Sequence, residues 1–288
     1  MFETFTDTLS SGYALACAAV FVAAYALNIV TISVLYHRDL AHGAVRVTPR
    51  LRRLWIAAGP WITGLDPKAW AVMHRRHHAF SDTPDDPHSP VNVGIGGILR
   101  EQLRGYERVI VGLRRGEPAF SRFAEDMDFP LSLRRHASLW VLPYALQGAI
   151  ALTLALTVGW ALGVSYFLGM MSHPLQGGLV NALGHAVGGR NFDTPDASRN
   201  NALVAWLVLG EGYQNNHHAY PASAKFSAAN HEVDLGFGVC LLLESVGVLS
   251  IRHDLLIPPL AARPAGDEFA AAIEPAMVQV PSLDPTAR

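Results

Sequence analysis

The chain has 288 residues, enough for one large domain or two modest ones. Half of it is hydrophobic and only 16% is charged, against roughly a quarter in ordinary soluble domains. The formal net charge of −2 leaves no basic field for nucleic acid, and Cys17 and Cys240, far apart in apolar runs, argue against a disulfide framework or a thiolate metal site.

The first apolar run, Ser11 to Tyr36, carries no charge and exceeds the roughly 20 residues that a spanning helix needs. Ahead of it stand Glu3 and Asp7 with no Lys or Arg, unlike a secretory signal. Arg38, Arg46, Arg50, Arg52 and Arg53 follow, so the positive-inside rule puts the amino terminus outside and Tyr36 at the cytoplasm. Leu54 to Met73 is interrupted by Gly59-Pro60, Gly64 and the tetrapeptide LDPK; this predicts an interfacial or re-entrant helix that returns to the cytoplasmic side. Arg100 to Arg135 predicts amphipathic cytoplasmic helices. Ser138 to Val158 is long enough to span, and Gly159 to His185 comes back, a hairpin with both ends cytoplasmic. Ala202 to Gly210 is too short to cross, and the apolar stretch from Leu235, broken by glycines and holding Glu244, predicts an interfacial or core helix. From about Pro258 a Pro/Ala-rich tail lacks apolar periodicity. The expected fold class is therefore all-α. It is a polytopic membrane protein with about three spanning helices, interfacial helices and a cytoplasmic histidine-rich metal-binding cap. Residues 1–257 form the membrane-embedded domain and 258–288 a loosely ordered tail; no internal repeat is present.

Histidine carries the chemical information. The groups are HRDLAH (His37, His42), HRRHH (His74, His77, His78), NALGH (Asn181, His185) and QNNHH (Gln214, His217, His218). Each sits where an apolar segment ends, on one side of the membrane in this topology. Residues at i, i+3 and i+4 share a helix face, so His77 and His78 both lie near His74, while as neighbours they diverge by about 100° and can feed two metals. His37 and His42, five apart, serve one metal if the turn is distorted and two if it is not. Eight imidazoles are too many for one ion and suit two, and ligation without thiolate fits Fe, Zn, Cu or Ni. Ligating imidazoles donate their second N–H to carboxylates or carbonyls; Asp39, Asp82, Asp85, Asp86 and Glu211 are the near candidates. His136, His173, His231 and His253 read as interfacial or hydrogen-bonding residues, and His88, in DPHSP, as part of a loop.

In their order, His37-x4-His42, His74-x2-His77-His78 and the late x2-His-His box resemble those of the integral-membrane fatty acid desaturases. HRRHHAFSDTPDDPHSP and LGEGYQNNHHAYPASAKF resemble the acyl-CoA (delta-9) branch in particular, over roughly residues 15 to 255. The resemblance implies a diiron centre that uses O2 and two electrons from a small redox protein such as ferredoxin to place a cis double bond in a long acyl chain. It implies that the eight histidines ligate iron and that Asn181 does so through a bound water. It also implies residence in a membrane, the inner membrane of a bacterium, with the active site facing the cytoplasm. The pattern is broken in places. Gln214 stands where the branch has histidine, leaving its amide oxygen as a weak or water-bridged ligand. One span rather than two precedes the first box. Val72 replaces a usual arginine, and a glycine-rich NVGIGGILREQLRGYER follows the second box. CoA, acyl carrier protein and phospholipid therefore all remain as acyl carriers.

Chemistry supports oxidation independently, because no side chain abstracts hydrogen from an unactivated C–H bond. The alternatives are a hydroxylase or alkane monooxygenase with the same iron chemistry, a zinc-dependent membrane hydrolase, whose three protein ligands fall well short of eight histidines, and a non-catalytic lipid- or metal-binding relative.

Overall fold

The uncharged amino-terminal run forms α1 (Ser11–Val30), continued without a break by a π-helical segment (Thr31–Ala41). The computed structural model describes residues 11–132 and 142–253. Among these, the joined 31-residue helix is the one long and apolar enough to cross a membrane. Its two halves differ: α1 buries only Ala24, Asn28 and Ile29, whereas every residue of the π-helical segment is buried. Asn28 is the polar tie in the apolar half. Its amide donates to the carbonyls of Met170 (2.7 Å) and Ile62 (3.2 Å), fastening α1 to two other helices.

After a short strand, β1 (Val45–Val47), the expected interfacial stretch folds as two helices, α2 (Pro49–Thr63) and α3 (Pro67–Phe80). The break has a local cause. Gly64 takes a left-handed φ of 77°, as a helix-ending glycine does. Asp66 then caps α3 by accepting the Ala69 N–H at 3.0 Å, with Pro67 in the first turn. Next come α4 (Pro90–Val93), α5 (Ile98–Arg115) and α6 (Pro118–Ser121). As its sequence predicts, α5 is amphipathic, burying Ile98, Tyr106 and Val109 and leaving its arginines exposed.

The predicted hairpin is present as α7 (Leu142–Thr157) and α8 (Trp160–Met170), joined by a turn at Gly159. Its return leg is split: Pro174 in the first turn of α9 (His173–Leu183) cannot continue α8, which ends at Met170. The remaining elements are α10 (Ala202–Leu207), α11 (Gln214–Ala219), α12 (Leu235–Ser245) and β2 (Leu249–Ile251). The fold is mostly helical, as expected, with two short strands added. They pair antiparallel with Val45 opposite Ile251 and Val47 opposite Leu249, tying the segment after His42 to the end of α12. The main core lies between the π-helical segment and α3, where Leu35, Tyr36, Ala69 and Val72 are fully enclosed. His136, the beginning of the predicted Ser138–Val158 span and the 258–288 tail lie outside the described residues.

Helices α7 and α8 meet backbone to backbone at Gly163. A Cβ there would stand 2.3 Å from the Ala151 carbonyl oxygen and 2.9 Å from the Ala155 Cβ. Gly163→Ala is expected to cost about 1–3 kcal/mol, read as a lower unfolding temperature in detergent. Gly238→Ala on α12, where an added Cβ meets nothing within 4 Å, should leave that temperature unchanged or raise it.

Candidate metal centre

Four chain segments carry the histidine groups, and the fold brings all of them together. His37, His42, His74, His78 and His217 place one nitrogen each within 4.8 Å of one another; His77, His185 and His218 form a second such set. The π-helical turn explains the first pair. A π-helix bonds each N–H to the carbonyl five residues back, and the His42 N–H reaches the His37 carbonyl at 3.2 Å. Residues five apart are thereby stacked one turn above the other, with ring centroids 5.0 Å apart. Of the two arrangements open to His37 and His42, the distorted turn is the one adopted. On α3, regular helical spacing does the opposite: His74 and His78 face the first set and His77 the second. On α11, His217 and His218 divide in the same way.

Carboxylates hold the outer nitrogens. Glu211 Oε2 lies 2.6 Å from His37 Nδ1, Asp86 3.0 Å from His77 Nδ1, Asp82 2.9 Å from His185 Nδ1 and Asp196 2.6 Å from His218 Nδ1. At His77, His185 and His218 the contact is a hydrogen bond that fixes the proton on Nδ1 and turns the Nε2 lone pair inward; at His37 it is a close charge contact. All four acids are ionised. Against the upward push of burial, the bond and charge of His185 bring Asp82 down to about 2. The paired histidines hold Asp86, Asp196 and Glu211 below the usual carboxylate range in the same way.

The inward nitrogens crowd. His42 and His74 Nε2 are 2.8 Å apart, His74 and His78 3.0 Å, and His78 and His217 2.9 Å. Burial first, then the neighbouring imidazoles, push His42, His74, His78 and His217 well below the ordinary histidine range, so these rings are neutral donors of lone pairs. His77 and His218 show what the geometry is suited to. Both carry Nδ1–H toward a carboxylate, so in neutral rings their Nε2 lone pairs face each other at 3.3 Å. Such a contact needs a proton or a metal cation between the two nitrogens. The buried His185 Nε2 beside them has no hydrogen-bond partner among the described residues. The donor set, all imidazole nitrogen with ionised carboxylates behind it, fits borderline transition-metal ions.

Other residues singled out by sequence lie elsewhere. Asp39, on the far side of the π-helical turn, accepts from Arg52 Nε at 2.7 Å and not from an imidazole. Asp85 is exposed on the loop after α3. Asn181 donates to Gln102 Oε1 at 3.4 Å, and Gln214 donates to the Glu211 carbonyl at 2.7 Å. Asp196 was not foreseen: it belongs to an irregular loop, and no spacing links it to His218. His88 does more than shape its loop. It is buried, stacks on His77 at 4.6 Å and donates its backbone N–H to Asp86 Oδ1 at 2.9 Å, with Asp86 and His77 forming a third close group.

A cavity of about 720 Å³ runs to this centre. Ile29, Ile32, Leu65, Met73 and Ile110 line it, His37 and His74 border it, and the exposed Arg100, Arg104 and Arg114 of α5 flank it. Glu107 lies among these arginines, and most of the wall is apolar, the character of a site for a largely apolar molecule with a polar end.

Comparison with known proteins agrees with this chemistry. The family model described as fatty acid desaturase matches residues 12–228. A hex-5-enoyl-(acyl-carrier protein) acetylenase of Moorena producens (strain JHB) is 29% identical over 242 residues, 78% of this chain and 73% of that one. The icosanoyl-CoA 5-desaturase of Limnanthes douglasii is 30% identical over 78% of this chain and 61% of its own length. The delta-9 acyl-lipid desaturase 1 of Arabidopsis thaliana is 29% identical over 83% of this chain and 75% of its own. This chain thus spans between about three fifths and three quarters of such relatives, and it belongs to the fatty acid desaturase family.

Proposed function

We propose that this protein is an O2-dependent fatty acyl desaturase that places a cis double bond in a long acyl chain at a diiron site. The observation that carries the reading is the pair of converging imidazole sets with carboxylates on their outer nitrogens, set at the end of an apolar cavity. His37, His42, His74, His78 and His217 would hold one iron. His77, His185 and His218 would hold the other, beside Asn181, acting through water, and Gln214. Bound iron supplies the oxidising power toward an unactivated C–H bond that no side chain has. The chain's own residues bind and orient. Glu211, Asp82, Asp86 and Asp196 keep the imidazoles in one tautomer, the apolar walls fix the acyl chain so that two neighbouring carbons face the centre, and Arg100, Arg104 and Arg114 hold an anionic carrier, whether CoA, acyl carrier protein or phospholipid. Two electrons arrive from a small redox protein such as ferredoxin.

The proposed setting is a membrane, the inner membrane of a bacterium. Helix α1 rises about 30 Å, the thickness of a hydrocarbon core. Alongside it α7 and α8 are uncharged and turn Leu152, Leu156, Val164 and Leu168 outward, an apolar exterior that water does not favour. With Arg46, Arg50, Arg52 and Arg53 following the first helix, the histidine cap faces the cytoplasm.

Expression of the intact chain in a bacterial host, followed by gas chromatography–mass spectrometry of total fatty acids, tests the reaction. The expected result is an unsaturated acid that disappears with His78→Ala. A hydroxy acid in its place would overturn desaturation in favour of hydroxylation, and unchanged lipids from a metal-loaded, membrane-inserted protein supplied with reductant would defeat both. Metal retention tests the site without turnover. Asp196→Asn is expected to weaken iron binding 10- to 100-fold, the usual effect of losing an outer partner of a ligand, as measured by chelator competition with metal analysis. Asp85→Asn should leave retention unchanged. Equal retention in both variants would show that Asp196 does not support a ligand.

A further inference from the structure

One apolar wall of the cavity stands level with the exposed half of α1. Ile29, in the last turn of that helix, packs with Val180 of α9 and with Val204 and Val208, within and just after α10. Ile29, Val180 and Val208 all line the cavity. One turn earlier on α1, the Tyr25 hydroxyl donates to the Leu207 carbonyl at 2.5 Å. The middle of α9 and the whole of α10 therefore lie beside the apolar part of α1. Each turns an apolar face outward: Leu175 and Leu179 on α9, and Leu203 (70% exposed) and Trp206 (57%) on α10. Next to α9 comes α5, whose buried Gln102 donates to the Pro174 carbonyl at 2.8 Å and fastens the two helices together. Leu99, Arg100, Leu103 and Arg104 are exposed and also line the cavity, so the cavity opens on this face of α5. Glu101 is paired with Arg108 at 2.7 Å. Arg100 and Arg104, one turn apart, have no carboxylate partner among the described residues, and Glu107 on the same rim is bridged to neither.

A leucine and tryptophan face of this kind is unfavourable in water and favourable at a lipid surface, and tryptophan is enriched where a membrane meets water. Exposed arginines beside such a face suit lipid phosphates: their stems lie on the apolar layer while the guanidinium groups reach the headgroups. The face is also continuous with the hairpin, because α9 begins three residues after α8 ends, and α8 turns Val164 and Leu168 outward. A soluble protein partner would have to break off its contact in the middle of that band, and a leaflet would not. We propose that α9, α10 and the amino-terminal half of α5 are seated in the surface of one leaflet, and that the cavity opens sideways into it. The acyl chain then enters from a membrane phospholipid whose phosphate is held by Arg100 and Arg104. This inference rests on the acyl and membrane reading above and selects one of its three carriers.

Two measurements test this without turnover. For the seating, full-length protein is held in nanodiscs of phosphatidylcholine and phosphatidylglycerol and carries a fluorophore on one introduced cysteine. The unsubstituted chain supplies the background from Cys17 and Cys240. At Leu179→Cys and Leu203→Cys, doxyl-labelled lipid is expected to quench the signal and acrylamide to leave it, as at Leu152→Cys on the exposed face of α7. Asp85→Cys, on the exposed loop after α3, should show the reverse. If positions 179 and 203 follow 85 while 152 follows the lipid, the seating is overturned and the membrane reading stands. If 152 also follows 85, the membrane reading falls as well. For the carrier, cis-parinaric acid, a fluorescent fatty acid, is bound in detergent and then displaced. Dioleoylphosphatidylglycerol is expected to displace it, and joint replacement Arg100→Gln and Arg104→Gln to weaken that displacement about tenfold. Displacement by oleoyl-CoA and not by the phospholipid would overturn the phospholipid carrier and keep the acyl reading. Failure of parinaric acid to bind would remove the acyl reading itself.

Discussion

The contact on which the rest of the centre depends is that between a carboxylate and the outer nitrogen of a buried imidazole. It occurs four times, at His37, His77, His185 and His218, with oxygen–nitrogen separations of 2.6 to 3.0 Å. Chemically it decides where the proton sits, and so which nitrogen is left to bind a cation. Mechanically it joins distant chain segments. His185 at the end of α9 is held by Asp82 from the loop after α3, 103 residues away, and His37 is held by Glu211 from the loop before α11. Glu211 is itself a junction: its other oxygen takes Arg38 Nη1 at 3.0 Å and Ser33 Oγ at 2.6 Å. Arg38 is fully buried, lies over the Phe226 ring at 3.8 Å and donates to the Ala224 carbonyl at 2.8 Å. Removing one member of such a network leaves a buried charge without a counterpart, which is costly. The same bonds that prepare the imidazoles therefore also close the cap around them.

The two imidazole sets are unequal. Five rings crowd the first, and most have no carboxylate behind them; three form the second, and every one is backed by a carboxylate. The cavity, lined also by Asn181 and Gln214, is bordered by His37 and His74 of the five-ring set. Fewer protein ligands leave more coordination positions to small molecules. Gln214 joins neither set, its amide being spent on the Glu211 carbonyl at 2.7 Å.

Much of the centre was legible in the sequence because helical spacing is local. The division of His77 from His78, and of His217 from His218, follows from the angle between adjacent residues, and the Asp82, Asp86 and Glu211 contacts lie close to the boxes along the chain. What was not legible depended on backbone irregularity or on tertiary placement. Spacing left the His37–His42 pair ambiguous, and only the π-helical hydrogen bond decides it. Asp39 is as near to His42 as Asp82 is to His78, yet it turns to Arg52 because the helix carries it round to the other side. Asp196 sits in a loop with no periodicity, and it reaches His218 only because that loop folds back over α11. In the fold, helices were predictable from apolar runs, but the break between α8 and α9 and the β1–β2 ribbon were not. The first depends on where Pro174 falls within a continuous apolar stretch, and the second on a pairing across most of the chain.

The change from α- to π-helix between Val30 and Thr31 links the two halves of the architecture. Up to that point the helix is apolar and largely exposed, and beyond it each residue is enclosed by the cap. No loop intervenes, so the rod that would lie among lipid tails is also the rod that presents His37 and, one residue past its end, His42. A flexible joint there would let the imidazoles move relative to the apolar exterior. A continuous helix, locked by Asn28 to α8 and α2 on one side and by Glu211 to His37 on the other, holds them at a fixed depth. Within the proposed setting, an aliphatic chain leaving the bilayer then meets the centre at a constant distance along its own length. Selecting one carbon–carbon bond among many chemically equivalent ones requires that constancy, and no side chain in contact with the acyl chain could impose it if the helix beneath were free to shift.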